Sequence, residues 1–219
     1  MTPTTRPPVR QGQAHKRAAI LAAARDLFVR TGVERTSMDA VAGAAGVSKR
    51  TVYDYYGDKH GLLLGVVEAA GEGALATLRD LADRHLGAAD AAADADALDR
   101  AFAGFAAELG SALLLSSDYL AAVRLIRENE PLLPELDDHP LDEAHAQVLA
   151  ARIAGIARTG LLEVDDPLLA AAHFQALTTL RVLNEPAARR AEAEHVRGLM
   201  TDGARVFLRA YAPRPGGRG

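Results

Sequence analysis

The side chains best suited to bind a chemical partner lie close together, in residues 48–55. Six of them can donate or accept hydrogen bonds: Ser48, Lys49, Arg50, Thr51, Tyr53 and Tyr55. Lysine and arginine bind phosphates or guanine edges, and threonine and tyrosine reach phosphates or the thymine methyl group. This set is suited to the surface of double-stranded DNA.

One acid, Asp54, interrupts this set. It could accept a hydrogen bond from cytosine, face away from a groove, or pair with Arg50 four residues earlier on a helix. The sequence leaves these alternatives open.

Two short helices joined by a tight turn would position these groups. Met38, Val41 and Ala45 give the first helix an apolar face, and Gly46 supplies the backbone freedom that ends a helix. Ser48 can cap the second helix, with Val52 and Tyr56 facing inward. We therefore predict a helix-turn-helix at residues 37–56, whose second helix lies in the major groove. The alternative is a helical hairpin with solvated charges.

The flanking sequence predicts a three-helix head in residues 14–74. Residues 14–31 repeat apolar side chains at helical spacing, and Gly32 ends that helix. Thr36 and Asp39 form a T-x-x-D helix start. Asp58 can cap a fourth helix over about residues 59–86. Several prolines and Gly12 predict that residues 1–13 are a disordered basic arm.

The remainder also predicts helices, about nine in the whole chain, and no strand. Aromatic residues are only 5% of the chain while Ala and Leu dominate, which favours packed helices. Residues 75–212 read as one helical domain. Within it, a Gly/Ala/Asp-rich patch at 87–96 is a loop or frayed helix start, and the last helix covers about 187–211. Residues 213–219 should be a disordered tail.

Composition excludes several function classes. The chain has no Cys, so it has no disulfide or thiol nucleophile, which is compatible with a reducing cytoplasm. No run of about 18 apolar residues indicates a membrane span, and no secretory signal is apparent. Residues 1–62 carry a net charge of +5, while the rest holds 15 of the 25 basic and 24 of the 29 acidic residues, a net −9. A basic N-terminal end suits a phosphate partner.

Enzyme motifs are also missing. The sequence has no G-x-S-x-G, no phosphate-binding Gly-rich loop and no H-E-x-x-H, so we expect no catalytic residue, cofactor or metal. One acidic and histidine cluster could bind a metal or be a solvated linker: Asp137, Asp138, His139, Glu143 and His145.

Residues 14–72 closely resemble the N-terminal domain of TetR-type transcriptional regulators. The resemblance rests on a first-helix A-A-x-x-L-F pattern, T-x-x-x-x-V-A before the turn, A-G-V-S, the T-V-Y-x-Y recognition helix, and Lys59 opening the fourth helix. Tyr56 departs from the family's usual Phe, and His60 stands where an acid is common.

The resemblance implies a homodimeric regulator that binds operator DNA, usually a repressor, and is released by a small-molecule effector. By position, Ser48, Lys49, Arg50 and Thr51 would meet bases or phosphates, and Tyr53 and Tyr55 would contact phosphate and base methyl groups. Thr36 or Ser37, together with Lys59, would hold the flanking DNA backbone. The protein would be cytoplasmic, and nucleoid-associated when bound to DNA.

The C-terminal part should hold the effector pocket and the dimer face. Candidate pocket residues are aromatic or polar groups on apolar helices: Phe102, Phe105, Tyr119, Arg124, His173 and Phe174. Arg124 would need an anionic partner, either an acidic ligand or Glu128. Candidate dimer residues share a helical stripe that could instead be intramolecular core: Val196, Leu199, Met200, Gly203, Phe207 and Tyr211. The alternative function is a helical small-molecule-binding or adaptor protein that has lost DNA binding.

Overall fold

A computed structural model describes residues 9–87, 94–136 and 140–213, with side chains from residue 12 onward and, after the second gap, from residue 144. Its α-helices are α1 (Val9–Thr31), α2 (Met38–Ala45), α3 (Lys49–Tyr56), α4 (Lys59–Leu86), α5 (Ala95–Leu109), α6 (Ser117–Asn129), α7 (Pro140–Ala157), α8 (Pro167–Gln175), α9 (Arg181–Leu183), α10 (Ala187–Arg190) and α11 (Ala193–Ala210). Two π-helical turns, Gly110–Leu114 and Ala176–Leu180, extend α5 and α8. Short 3₁₀ turns cover Glu130–Leu132 and Pro134–Leu136. The all-α prediction is confirmed, since the described residues contain no strand.

Two helix boundaries differ from those predicted. Helix α1 begins at Val9, five residues before the predicted start, and runs through Gly12. A single interior glycine costs a helix only about 1 kcal/mol, which neighbouring helix formers offset. The predicted last helix is two helices, because Glu192 takes an extended conformation (φ −86°, ψ 101°) between α10 and α11. No glycine or proline marks that break.

The first compact unit comprises residues 9–71 and 121–136 of the described chain. Its core joins side chains of α1 to α4, among them Ile20, Phe28, Val41, Val52 and Leu62. Leu125 of α6 and Leu133 after it are buried in the same core. The head is therefore discontinuous in sequence, and the predicted boundaries of 14–74 miss its second segment.

The second compact unit comprises residues 72–120 and 140–213, apart from the undescribed positions. Helix α11 packs against α5 and against the turn Ala176–Leu180, while α7 packs against α8. Four fully buried phenylalanines form its centre: Phe102, Phe105, Phe174 and Phe207. Gly203 permits the close approach of α11, because a methyl group there would overlap the carbonyl oxygen of Leu177.

Helix α4 is long and apolar enough to pass a composition test for a membrane span, although we expected no such segment. Its 18-residue window has a mean hydropathy of 1.4, and 44% of that window is buried inside the protein. Core helices pass the same test. Leu62, Leu63 and Val66 lie in the head core, and Leu78 and Leu81 are also buried, so the apolar face of α4 is accounted for by protein packing.

Several predictions lie outside the described residues. These are the first eight residues of the basic arm, positions 88–93 of the Gly/Ala/Asp-rich patch, and residues 214–219 of the tail. The side chains of Asp137, Asp138, His139 and Glu143 are also undescribed. Among the side chains that are described, no three His, Asp or Glu residues are grouped to hold a metal.

Candidate nucleic-acid interface

Local hydrogen bonds set the angle between α2 and α3. The Ser37 hydroxyl accepts from the backbone N–H of Ala40 at 3.1 Å and caps α2. Gly46 ends α2 in the left-handed conformation (φ 65°), and Val47 N–H then donates to the Ala42 carbonyl at 3.0 Å. A glycine adopts this conformation without steric cost.

Ser48 begins α3 as predicted. Its hydroxyl accepts from the backbone N–H of Thr51 at 3.1 Å and lies 2.8 Å from the Thr51 hydroxyl. Both hydroxyls are thus engaged at the N-terminal end of α3. This end is the part of a recognition helix that meets base edges.

Helix α3 has one buried face and one exposed face. Val52 is 0% exposed, whereas Tyr53 and Tyr55 are 42% and 38% exposed, large values for aromatic side chains. Lys49 and Arg50 are exposed beside them. The helix is thereby anchored through Val52, and it presents these four side chains at the surface.

Both cations of α3 have a carboxylate partner. Lys49 Nζ lies 2.9 Å from Asp39 Oδ2 on α2, and 6.0 Å from the centre of the Tyr53 ring. This hydrogen bond and the charge of Asp39 raise the pKa of Lys49. Arg50 Nε lies 3.8 Å from Asp54 Oδ2 one helical turn on, which is the ion pair that the sequence allowed for Asp54.

Tyr56 packs its ring inward and leaves its hydroxyl group buried in the head. The ring lies over Gly65, where a methyl group would approach Tyr56 Cε1 to 2.7 Å. The hydroxyl oxygen is buried and makes no hydrogen bond of ordinary geometry. Burial raises the pKa of the Tyr56 phenol, and the nearby Arg17 guanidinium opposes part of that rise.

Thr36 does not lie at the exposed surface, so of the two predicted alternatives, Thr36 and Ser37, the structure favours Ser37 as a side chain that can reach the DNA backbone. The residue is buried, and its hydroxyl donates to the Gly32 carbonyl at 2.8 Å and meets the Thr31 hydroxyl at 2.8 Å. A buried hydroxyl needs partners, and Thr36 finds them inside the head. Ser37, and not Thr36, caps α2.

Lys59 joins the start of α4 to the loop before α2. Its ammonium donates to the carbonyl oxygens of Glu34 at 2.7 Å and Thr36 at 3.1 Å. A lysine ammonium has three N–H donors, so one remains for a phosphate. Asp58 caps the same helix, accepting from Gly61 N–H at 2.8 Å.

His60 has a role that the sequence did not indicate. Its Nε2 lies 2.8 Å from the carbonyl oxygen of Leu132 and 3.5 Å from Glu135 Oε2. These partners follow α6, about 70 residues later in the chain. Only the apolar pattern of Leu133 and Leu136 could have suggested that this segment packs on the head.

Comparison with known proteins decides the family. A model of the bacterial regulatory proteins of the tetR family matches residues 20–66. A model of the AefR-like transcriptional repressor C-terminal domain matches residues 104–213, half of the chain. The chain belongs to the TetR family. It is therefore a transcriptional regulator with a DNA-binding helix-turn-helix, in a family of regulators and not of enzymes, where ligand-responsive repression is typical.

Solved structures agree with this assignment. The TetR-family chain is 29% identical to the flavonoid-responsive regulator FrrA, covering 92% of this chain and 100% of that one, with a TM-score of 0.61. A TetR-family regulator from Mesorhizobium loti shares the fold at a TM-score of 0.72 and 24% identity, with 91% and 98% coverage. NalD of Pseudomonas aeruginosa, the secondary repressor of the MexAB-OprM multidrug efflux pump, shares the fold at a TM-score of 0.60 and 19% identity, with 91% and 98% coverage. A search of curated protein sequences gave no match.

The structure brings together only part of the predicted effector pocket of this TetR-family regulator. Phe102, Phe105 and Phe174 meet at the centre of the second unit, with ring centres 5.8 Å apart for Phe102–Phe174 and for Phe105–Phe174. Phe207, a predicted dimer residue, completes the cluster, with its ring centre 5.6 Å from that of Phe102 and 5.5 Å from that of Phe174.

The polar pocket candidates lie elsewhere. Arg124 belongs to the head unit, is exposed, and pairs with Glu128 at 2.7 Å, so the anion it required is on its own helix. His173 is exposed, with Nδ1 2.7 Å from the Tyr211 hydroxyl. Tyr119 is half-buried near the start of α6. None of these three is part of the phenylalanine cluster.

Most of the predicted dimer stripe is intramolecular core. Val196, Met200, Gly203 and Phe207 are buried within the second unit, while Leu199 and Tyr211 are half-buried. A helical stripe of apolar residues forms intramolecular core whenever another helix of the same chain covers it. Other large apolar side chains stay exposed on α8, on the turn after it and on α11: Leu168, Leu169, Leu180 and Val206.

Proposed function

We propose that this TetR-family regulator binds double-stranded operator DNA as a homodimer, represses transcription there, and is released when a small-molecule effector binds its second unit. The observation that carries the DNA-binding part is the exposure of Tyr53 and Tyr55 on a helix whose opposite side is sealed by Val52. Soluble proteins have little reason to expose two aromatic rings on one short helix without a partner.

The proposed contacts divide by position. Lys49 and Arg50, at the start of α3, are placed to reach base edges or phosphates, with Thr51 and Ser48 beside them. Tyr53 and Tyr55 extend the same surface toward the end of α3. Ser37 and Lys59 lie at the starts of α2 and α4, where backbone N–H groups and a free ammonium donor favour phosphate.

The exposed leucines favour a dimer. Leu168, Leu169 and Leu180 lie on α8 and the turn after it, and Val206 lies on α11, which packs against that turn. Arg181, the first residue of α9 directly after that turn, pairs with Asp202 of α11 at 2.9 Å. Apolar side chains with a polar pair at their edge are typical of a subunit interface. A two-fold dimer would present α3 twice, one turn of DNA apart at about 34–36 Å.

The phenylalanine cluster supports an aromatic effector. Four stacked or edge-on rings form a non-polar environment for a flat ring system. The name of FrrA, at 29% identity, gives flavonoids as its effector class. The four rings fill the centre of the unit, so a ligand entering there must select a rearranged conformation. Release would follow from a population shift toward heads spaced wrongly for DNA.

Selection from a random-sequence duplex pool, followed by gel shift, tests DNA binding directly. The proposal expects enrichment of one sequence with two related half-sites. Recovery of no duplex above background would reject DNA binding and leave the alternative of a helical small-molecule-binding or adaptor protein. We expect the protein in the cytoplasm, and on the nucleoid when bound.

A panel of flavonoids tests the effector part. Binding measured by calorimetry should be accompanied by lower affinity for the selected duplex, measured by fluorescence anisotropy. Reciprocity requires that the duplex weaken flavonoid binding by the same factor. Tight flavonoid binding with unchanged duplex affinity would show that the two sites are not coupled.

A further inference from the structure

The segment that forms α2 and the recognition helix α3 carries no net charge, although residues 1–62 as a whole are basic. Residues 38–59 contain three cations, Lys49, Arg50 and Lys59, and three carboxylates at positions 39, 54 and 58. The net charge of +5 carried by residues 1–62 therefore lies entirely in residues 1–37. The cations of this segment are matched in number by its carboxylates, so the segment itself offers a polyanion no net electrostatic attraction.

The two carboxylates nearest the DNA-facing groups are paired with the cations of α3. Asp39 holds Lys49 by a hydrogen bond of 2.9 Å that joins α2 to α3 across ten residues of sequence. Asp54 lies 3.8 Å from Arg50 within α3. All four side chains are more than half exposed, from 54% to 90%. Exposed ion pairs of this kind contribute little to stability, so stability does not explain their placement.

We propose that Asp39 and Asp54 are specificity-determining residues, which withhold Lys49 and Arg50 from phosphates and thereby weaken sequence-independent DNA binding. The proposal rests on the DNA-binding function proposed above. On an arbitrary sequence, a cation gains only phosphate contacts, and each carboxylate competes for it and repels the DNA backbone within a Debye length of about 10 Å at 0.1 M salt.

On the selected duplex the two carboxylates should have a different effect on binding. There Lys49 makes a defined contact, and Asp39 aims its ammonium at that contact as a positioning residue. Asp54 can also accept a hydrogen bond from a cytosine amino group. Removing either carboxylate should therefore help binding to arbitrary DNA more than binding to the selected duplex, and the ratio of the two affinities should fall.

The test uses the full-length chain and two probes, the selected duplex and a duplex of the same length with an arbitrary sequence. Variants Asp39→Asn and Asp54→Asn each remove one negative charge. Asp26→Asn is the matched control, because Asp26 is an exposed acid of α1 that pairs with Arg25 at 2.9 Å and changes the net charge of the head equally. Affinity is measured from 50 to 200 mM salt.

Freeing one cation for one phosphate should steepen the slope of log K against log salt on the arbitrary duplex by about 0.9. Affinity for that duplex at 50 mM salt should rise about threefold or more for each variant. Asp26→Asn should leave slope and affinity at wild-type values. A purely structural role for the carboxylates would not move the salt slope.

The outcomes separate this proposal from the one on which it rests. If wild type binds DNA while Asp39→Asn and Asp54→Asn keep its salt slope and affinity ratio, the carboxylates do not determine specificity and DNA binding stands. If neither wild type nor any variant binds either duplex, both proposals are wrong. Circular dichroism melting checks that Asp39→Asn is folded, and Asp54→Asn, in mid-helix with no capping role, supplies an independent measurement.

Discussion

The ammonium group of Lys59 donates a hydrogen bond of 2.7 Å to the carbonyl oxygen of Glu34. The same ammonium donates a second hydrogen bond to the carbonyl oxygen of Thr36, two residues further along the loop before α2. The first turn of α4 therefore holds the connection that sets where α2 begins. A lysine at this position serves the internal structure of the head, whether or not it also meets a phosphate.

Lys59→Met should therefore lower both stability and DNA affinity. Two charge-assisted hydrogen bonds are lost, and because the side chain is partly exposed we expect a loss of about 1–2 kcal/mol in the free energy of unfolding. Urea denaturation measures it. Lys16→Met, at an exposed position of α1, is the control. Equal stability of the two variants would mean that the loop does not depend on Lys59.

Tyr53→Ala should weaken binding to the selected duplex while leaving the fold intact. The side chain is 42% exposed, so its removal should change the free energy of unfolding by no more than about 0.5 kcal/mol. Gel shift and circular dichroism melting report the two effects separately. A variant with wild-type affinity would show that Tyr53 makes no contact with DNA.

Val52→Ala is the complementary variant on the same helix. Its side chain is fully buried, so we expect a loss of stability of about 1–3 kcal/mol from the cavity it leaves. Loss of DNA binding by this variant should track the unfolded fraction. Binding that fails while α3 is still folded would mean that the anchor also shapes the contact surface.

The helix-turn-helix was predictable because its determinants are local. Ser37, Gly46 and Ser48 each act on residues within a few positions, so sequence spacing was enough to place α2 and α3. The sequence could not separate Thr36 from Ser37 as a phosphate contact, because a hydroxyl suits a phosphate and a buried carbonyl equally well. Burial depends on distant residues that spacing does not reveal.

The second unit was harder to predict for the same reason. The stripe Val196, Met200 and Phe207 has the spacing of a buried helix face, but spacing cannot say whether the covering helix comes from the same chain or from a partner. Likewise, nothing in the local sequence around Leu125 and Leu133 indicates that they pack on a head some 60 residues earlier in the chain. Periodicity identifies a face, and only the tertiary structure identifies its neighbour.

Tyr56→Phe should stabilise the head. The phenol oxygen is buried without a hydrogen bond of ordinary geometry, and an unsatisfied buried polar group costs about 1–3 kcal/mol. We expect a gain of about 1 kcal/mol in the free energy of unfolding. Tyr53→Phe, which removes an exposed hydroxyl, should change it by less than about 0.5 kcal/mol.

Tyr56→Phe should also change how the free energy of unfolding depends on pH in alkaline solution. Burial raises the pKa of the Tyr56 phenol above its ordinary value of 10.0, so near and above that pH the unfolded state loses the proton before the folded state does. The folded state then binds more protons, and stability falls as pH rises. Wild type should show this loss above about pH 10 in urea titrations. The component should be absent from Tyr56→Phe, and equal slopes in both proteins would contradict the assignment.

Two glycines of α11 should respond oppositely to the same change. A methyl group at Gly203 would overlap the carbonyl oxygen of Leu177, so Gly203→Ala should cost about 1–3 kcal/mol or more by forcing α11 away. Gly198 has no atom within 4 Å of the added methyl group, so Gly198→Ala should gain about 0.5–1 kcal/mol of helix stability. Chemical denaturation of both variants checks the sign. Destabilisation of Gly198→Ala would indicate that this face is covered in solution.

Leu169→Glu and Leu180→Glu should each split the proposed dimer. Both leucines are about half exposed, at 52% and 51%, so a carboxylate there costs the isolated chain little, but in an interface it would be buried without a partner. Light scattering should give 46.2 kDa for wild type, twice the chain mass of 23.1 kDa, and 23.1 kDa for the variants.

The charge introduced at an exposed leucine needs a control away from the proposed interface. Leu132→Glu, at a 48% exposed leucine of the head unit, should leave the wild-type mass unchanged. Operator affinity should fall by about 10²–10⁴ in the monomeric variants, because the second half-site is no longer bound from a linked head. A wild-type mass of 23.1 kDa at micromolar concentration would contradict the proposed dimer. Variants that stay dimeric would place the dimer contact away from α8 and α11.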